Sequence, residues 1–214
     1  MTLATEAEAR VWLTGLAEWD AGAAKRLDLL ATMLAEENQR QNLVSAASLE
    51  AIWLRHIADS AQLLDYVPRE TSSPWLDLGT GAGFPGLVIA ALRPEIELVM
   101  VESRLRRAEW LERVRAAMGL ANASVIGLPL EKVPSRAFRV ISARAFAPLP
   151  KLLTLSARFS TATTTWLLPK GRSARQELLD LTGWEHMFHV EQSLSDADAG
   201  IIVGALAATK GNSA

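Results

Sequence analysis

The sequence predicts an α/β fold: a mostly parallel, doubly wound sheet with an antiparallel C-terminal strand, preceded by an N-terminal helical extension. Three observations predict it. Short apolar runs at Trp75–Leu78, Leu98–Val101, Val125–Ile126, Val140–Ile141 and Trp166–Leu168 alternate with helical or loop stretches, the rhythm of right-handed crossovers between parallel strands. Before residue 70 the apolar residues recur at helical spacing instead. At the other end, Trp184–Gln192 and Gly200–Ala208 are separated only by a polar loop, which leaves room for antiparallel pairing and none for a crossover helix.

Residues 5 to about 65 read as helices, with Leu27, Leu30, Met33 and Leu34 on one apolar face and Ile52, Trp53, Ile57, Leu63 and Leu64 on another. Ser48 is the expected N-cap of the second group, with Glu50 in its first turn, and Asn42 and Ser45 form a polar break before it. Pro68 to Pro74 reads as a linker, dividing a helical cap over 1–70 from a core domain over 71–214 that folds with it as one unit. In the core, the first strand runs into a glycine-rich turn and a helix over Leu87–Leu92 that Pro94 stops. The second strand closes at Glu102, and a helix over Arg104–Met118 ends at Gly119. The seven tryptophans fall mostly in apolar periodic runs and are expected to pack rather than to stack on bases.

Composition narrows the chemistry. Half of the 214 residues are hydrophobic, which excludes a disordered chain, and the longest apolar runs fall far short of a bilayer span. Met1–Arg10 carries Glu6 and Glu8 and lacks the basic-then-apolar order of a signal peptide. With no cysteine there is no disulfide, thiolate metal site or cysteine nucleophile, and a cytoplasmic location is expected. His186 and His189, three residues apart in a strand-like run, are poorly spaced for zinc, so no metal site is expected. No long apolar stripe asks for a partner, which predicts a monomer. The net charge of −2 hides an asymmetry: residues 1–70 sum to −5, whereas residues 104–175 hold 14 Lys/Arg against 3 Asp/Glu. Such an excess suits either a polyanion-binding face or an ordinary solvated one.

The segment Asp77-Leu78-Gly79-Thr80-Gly81-Ala82-Gly83-Phe84-Pro85-Gly86 is the most informative. A strand, a glycine-rich turn and a helix together let backbone approach a nucleoside closely. Gly81, Gly83 and Gly86 match the dinucleotide fingerprint, and Glu102 stands about where a ribose-binding carboxylate belongs. That reading leaves Asp77 and Gly79 idle and sets Pro85 in the pyrophosphate turn. S-adenosylmethionine, a sulfonium without phosphate, makes use of all of them. A nicotinamide-dependent oxidoreductase stays open at this point, as does a methyltransferase acting on a small molecule or a protein.

The run Asp77–Gly86, together with Asn42-Leu43-Val44-Ser45, Arg55-His56-Ile57-Ala58-Asp59-Ser60 and Ile141-Ser142-Ala143-Arg144-Ala145-Phe146, resembles the RsmG (GidB) family, from about residue 25 to the C-terminus. The resemblance implies a Rossmann-like class I methyltransferase that uses S-adenosylmethionine to methylate guanine N7 in bacterial 16S rRNA, with the small ribosomal subunit as partner. It implies cofactor contacts at Gly79 and Phe84, a pocket shaped by Asp77, Gly81 and Gly83, and ribose binding at Glu102. Leu130 and Glu131 would lie beside the adenine, and Arg144 would serve the cofactor site as a positioning residue. Lys170-Gly171 also fits the family pattern, whereas Arg139 stands where the family usually has Asp.

N7 of guanine already carries an in-plane lone pair, so its methylation needs positioning and exclusion of water rather than a general base. The absence of a cysteine nucleophile fits that chemistry. Arg104, Arg106 and Arg107 open a helix, where acids are ordinarily favoured, and with Lys151, Lys170, Arg172 and Arg175 they are the expected phosphate-tracking rim. Arg55 and His56 are expected at the mouth of the pocket, facing the RNA.

Overall fold

The first helix starts where its sequence can satisfy its own end: in this computed structural model, which describes residues 2–70 and 74–207, Thr5 and Glu8 form a reciprocal capping box at the start of α1 (Glu6–Thr14). Asp20 caps α2 (Ala21–Glu37) by accepting from the Ala23 amide, and Leu27, Leu30 and Leu34 form its fully buried face. The break that follows is organised by Asn38, whose Oδ1 accepts from the Leu43 and Val44 amides. The chain therefore restarts as α3 (Ala46–Glu50) with Ser45 as its N-cap, three residues earlier than expected; Ser48 is the residue whose amide Ser45 Oγ receives. A π-helical turn (Trp53–Ala58), α4 (Asp59–Ala61) and a 3-10 turn (Gln62–Tyr66) complete the extension.

The strands are β1 (Trp75–Leu78), β2 (Leu98–Val101), β3 (Ala123–Ile126), β4 (Val140–Ala143), β5 (Thr165–Gly171), β6 (His189–Gln192) and β7 (Gly200–Gly204). They form one sheet in the order β3-β2-β1-β4-β5-β7-β6. The first five are parallel, and β7 pairs antiparallel with both β5 and β6. The two apolar runs at the C-terminal end thus pair as expected, extended by a bridge between His186 and Leu206; Ala208 lies outside the described residues. The connecting helices are α5 (Gly86–Leu92), α6 (Leu105–Ala117), α7 (Leu149–Ser156) and α8 (Ala174–Leu179).

Each face of the sheet carries its own core. On one, the helical extension shares a cluster with α5 and α6, where Leu27, Leu30 and Leu34 meet Leu87, Val88 and Ile89. On the other, Leu149, Leu152 and Leu153 of α7 pack on Leu76, Ile141 and Trp166. Strand order reverses between β1 and β4, so the carboxyl ends of these strands open a crevice, the usual ligand position in a doubly wound sheet. No helix among the described residues is long and apolar enough to cross a membrane.

Candidate cofactor and substrate site

The crevice begins with a sealed polar chain. Asp77 is fully buried at the end of β1; its Oδ1 accepts from Ser142 Oγ at 2.7 Å and its Oδ2 from the Gly86 amide at 3.0 Å. The Ser142 hydroxyl in turn accepts from Trp75 Nε1 at 2.9 Å. Burial outweighs these bonds and pushes the Asp77 carboxyl up to about 6. The residue ties β1, β4 and the start of α5 together beneath the glycine turn and lines neither of the cavities above it.

The turn itself is folded around internal acceptors. The Gly81 amide donates to Glu102 Oε2 at 3.0 Å, and the Arg104 amide donates to the other oxygen of Glu102 at 2.8 Å. The Gly83 and Phe84 amides donate to Thr80 O, those of Gly79 and Thr80 to Val101 O, and Pro85 has no donor at all. Trp110 Nε1 fastens the turn to α6 through Ala82 O at 3.0 Å. A pyrophosphate-binding loop needs just these amides free, and two carboxylates already sit among them. The turn therefore suits a cofactor without phosphate. Gly79 (φ +63) needs its missing side chain, since a Cβ there would stand 2.5 Å from Phe146 Cδ2.

Two cavities meet above this turn. The smaller, about 230 Å³, is lined by Gly79, Val101, Ser103, Leu130, Glu131 and Lys151, among others. Gly79, Leu130 and Glu131, expected at the cofactor, are thus brought together, and Glu102 lies directly beyond Val101. Its mixed lining, with Val101, Leu128 and Leu130 beside the exposed Glu131, and the close approach allowed at Gly79 fit an adenosine-bearing ligand. The larger cavity, about 830 Å³, is walled by the π-helical turn, the loop after β4, the end of β5 and the Ser193–Ser195 segment.

Between the extension and β4 lies a network that joins residues about 85 positions apart. Arg144 Nη1 donates to Arg55 O at 3.2 Å and to Asp59 Oδ2 at 3.3 Å, while Nη2 donates to His56 Nδ1 at 3.0 Å. A guanidinium can only donate, so Nδ1 must be the acceptor and the ring proton sits on Nε2, a buried atom with no hydrogen-bond partner. Desolvation first, then the charges of Arg144 and Arg55, lower the His56 pKa to about 3, so the ring is neutral. It stacks on Phe84 at 4.7 Å between centroids, and the Arg144 guanidinium lies 5.2 Å from the same ring. Phe84, expected against the cofactor, is buried under His56. Asp59 is itself held by Ser195 Oγ and Gln62 Nε2.

The basic residues divide into two groups. Arg104, Arg106, Lys151 and Arg175 are exposed and Arg107 half-buried beside Gly81, and none of the five makes an ion pair among the described residues. Lys170, expected on the RNA-facing rim, is turned inward with its side chain only 7% exposed; its ammonium holds Ala147 O at 2.5 Å and Glu177 at 2.9 Å. The cause is local: beside the end of β5 the ammonium has a carbonyl and a carboxylate within reach, and its side chain folds onto them. His56 is likewise largely buried, while both it and Arg55 line the larger cavity. Arg55 and Arg172 pair with Asp196 and Asp198. Sequence reading missed Asp59 and Glu177 as organisers, although Asp59 lies one helical turn beyond Arg55. Ser142 and Ser195 carried no signal, because a serine is unremarkable until its partner is known.

Comparisons with known proteins give the family and the fold. The family model for rRNA small subunit methyltransferase G matches residues 23–196. The ribosomal RNA small subunit methyltransferases G of Erythrobacter litoralis and Novosphingobium aromaticivorans are each 56% identical to the chain, over 94% and 98% of it and 97% and 92% of their own lengths. Among solved structures, a putative O-methyltransferase from Klebsiella pneumoniae aligns with a TM-score of 0.59 at 16% identity, covering 93% of this chain and 96% of that one. A SAM-dependent methyltransferase from Aquifex aeolicus aligns at 0.57 over 79% and 97%, also at 16% identity. The fold is the Rossmann-like fold of the SAM-dependent methyltransferases, and the chain belongs to the rRNA small subunit methyltransferase G family.

Proposed function

We propose that the protein methylates N7 of a guanine in 16S rRNA, with S-adenosylmethionine as donor, acting in the cytoplasm as a monomer on the small ribosomal subunit or its rRNA. The observation that carries the reading is the meeting of two cavities at the glycine turn: an adenosine-sized cleft ending at Gly79, and a larger cavity open to the surface. When bound, the donor supplies a methyl group on cationic sulfur.

The chain's own residues supply grip and exclusion. Glu102 keeps lone pairs for the ribose hydroxyls after accepting two amides, and Leu130 with Glu131 flanks the adenine. Arg144, fixed by Asp59, Arg55 O and His56, positions the wall shared by cofactor and RNA. Neither His56, held neutral, nor Asp77, sealed beneath the turn, faces a proton to remove, which matches an acceptor nitrogen that has none to lose. Arg104, Arg106 and Arg107, without an ion pair among the described residues, are the phosphate contacts in this reading.

The test is mass mapping of 16S rRNA from cells lacking the protein. One methylguanine should vanish and return when purified protein and donor are added to that rRNA or to the subunits. An unchanged methylation map would sink the assignment; a vanished methyl group on another atom or base would keep the methyltransferase and overturn guanine N7.

A further inference from the structure

We propose that Phe146 is the platform on which the target purine stacks, and that its ring face steadies the positive charge arriving on that base. The inference rests on the rRNA-methylation reading and names a residue for its substrate side. Phe146 and Ala147 are the two residues shared by the walls of both cavities. Among the described residues lining them, Phe146 is the one phenyl, phenol or indole ring. It is half-buried and packs over Gly79, where the two cavities meet.

The backbone presenting this ring is held in place from both sides. Ala145 has φ +51, a left-handed conformation disfavoured for a residue with a Cβ. On one side Arg144 is pinned through Arg55 O, Asp59 and His56. On the other, Lys170 grips Ala147 O and Glu177 accepts the Leu149 amide. These anchors keep a strained loop that points Arg144 toward the extension and Phe146 toward the cavity junction. One side of the ring packs on the core beneath α7, and the residue lines both cavities.

The chemistry suits an aromatic face there. In methylation at N7 the nitrogen lone pair forms the N–C bond and the S–C bond breaks with its electron pair left on sulfur. One positive charge passes from the sulfonium to the purine, and no proton moves. Bases stack on aromatic side chains, and a cationic base gains further from the ring's negative face. The nearby cation, Arg144, is neutralised by Asp59 and so does not oppose the charge.

Two variants test it: Phe146→Leu keeps apolar bulk without a π face, and Phe146→Trp keeps the face. A short RNA carrying 2-aminopurine at the mapped target position, added with S-adenosylhomocysteine, should be quenched by wild type and Phe146→Trp and not by Phe146→Leu. Methylation kcat/KM should fall roughly 10- to 100-fold in Phe146→Leu, the usual loss for one stacked base, with S-adenosylhomocysteine affinity by calorimetry unchanged. Equal quenching and turnover in Phe146→Leu overturn the proposal. So does a loss that tracks weakened S-adenosylhomocysteine binding, which makes the ring a wall of the cofactor cleft. A wild-type protein that methylates no small-subunit rRNA overturns the underlying reading and the proposal with it.

Discussion

The unprotonated Nδ1 of His56 links the extension to the site. The ring is neutral because burial and two arginines disfavour the imidazolium, and its Nδ1 accepts from Arg144. The unfolded chain takes up this proton near pH 6.5 and the folded protein only near pH 3, so the linkage has a definite sign. The contribution of His56 to stability is present above pH 6.5 and declines as pH falls toward 3, at up to about 1.4 kcal/mol per pH unit. Asp77, raised to about 6, acts oppositely: its contribution is present below pH 3.8 and lost as pH rises through 6. His56→Gln should therefore lose less stability than wild type between pH 6.5 and pH 4.5. Denaturant unfolding at several pH values reads this, and parallel curves for the two proteins would refute the buried neutral ring.

Elements whose chemistry is written in consecutive residues were legible from sequence. The glycine turn, the strand before it, Glu102 at the end of β2 and the antiparallel C-terminal pair all stand where their local patterns put them. What was not legible depends on distant partners. Whether Lys170 reaches out to RNA or inward depends on Glu177 and on Ala147 O, seven residues after it and 23 before it. Ser45 prevails over Ser48 as the cap of α3 because Asn38 closes the preceding turn. The inward lysine braces β5, α8 and the loop before α7, so Lys170→Met strands Ala147 O and leaves Glu177 without its cation. We expect about 1–3 kcal/mol of lost stability, a Tm lower by roughly 2–10 °C, with S-adenosylhomocysteine affinity retained and RNA turnover reduced. A variant as stable and active as wild type would show that the brace carries no weight.

Across the whole molecule, charge is sorted by place. The acidic extension and the basic 104–175 region carry net charges of opposite sign, and the overall charge of −2 conceals both. Within the basic region the fold separates cations already bound from cations still free. Arg113, Arg115, Arg136 and Arg144 are paired, whereas Arg104, Arg106 and Arg107 stand unpaired, among the described residues, at the start of α6 beside the turn. Three unpaired arginines at a helix N-terminus are locally unfavourable, and a phosphate backbone laid across the cleft relieves them. Replacing all three by Gln removes that attraction and leaves Glu102 its bonds to the amides of residues 81 and 104, which are backbone donors. RNA affinity should then fall, and the slope of log K against log salt should become shallower by about 0.7 for each phosphate that is no longer neutralised. Binding titrations across a salt series measure that slope, and calorimetry with S-adenosylhomocysteine measures the cofactor cleft separately. A weaker RNA complex with an unchanged slope would mean that the arginines act through structure and not through phosphates. A parallel loss of S-adenosylhomocysteine would assign them to the cofactor instead.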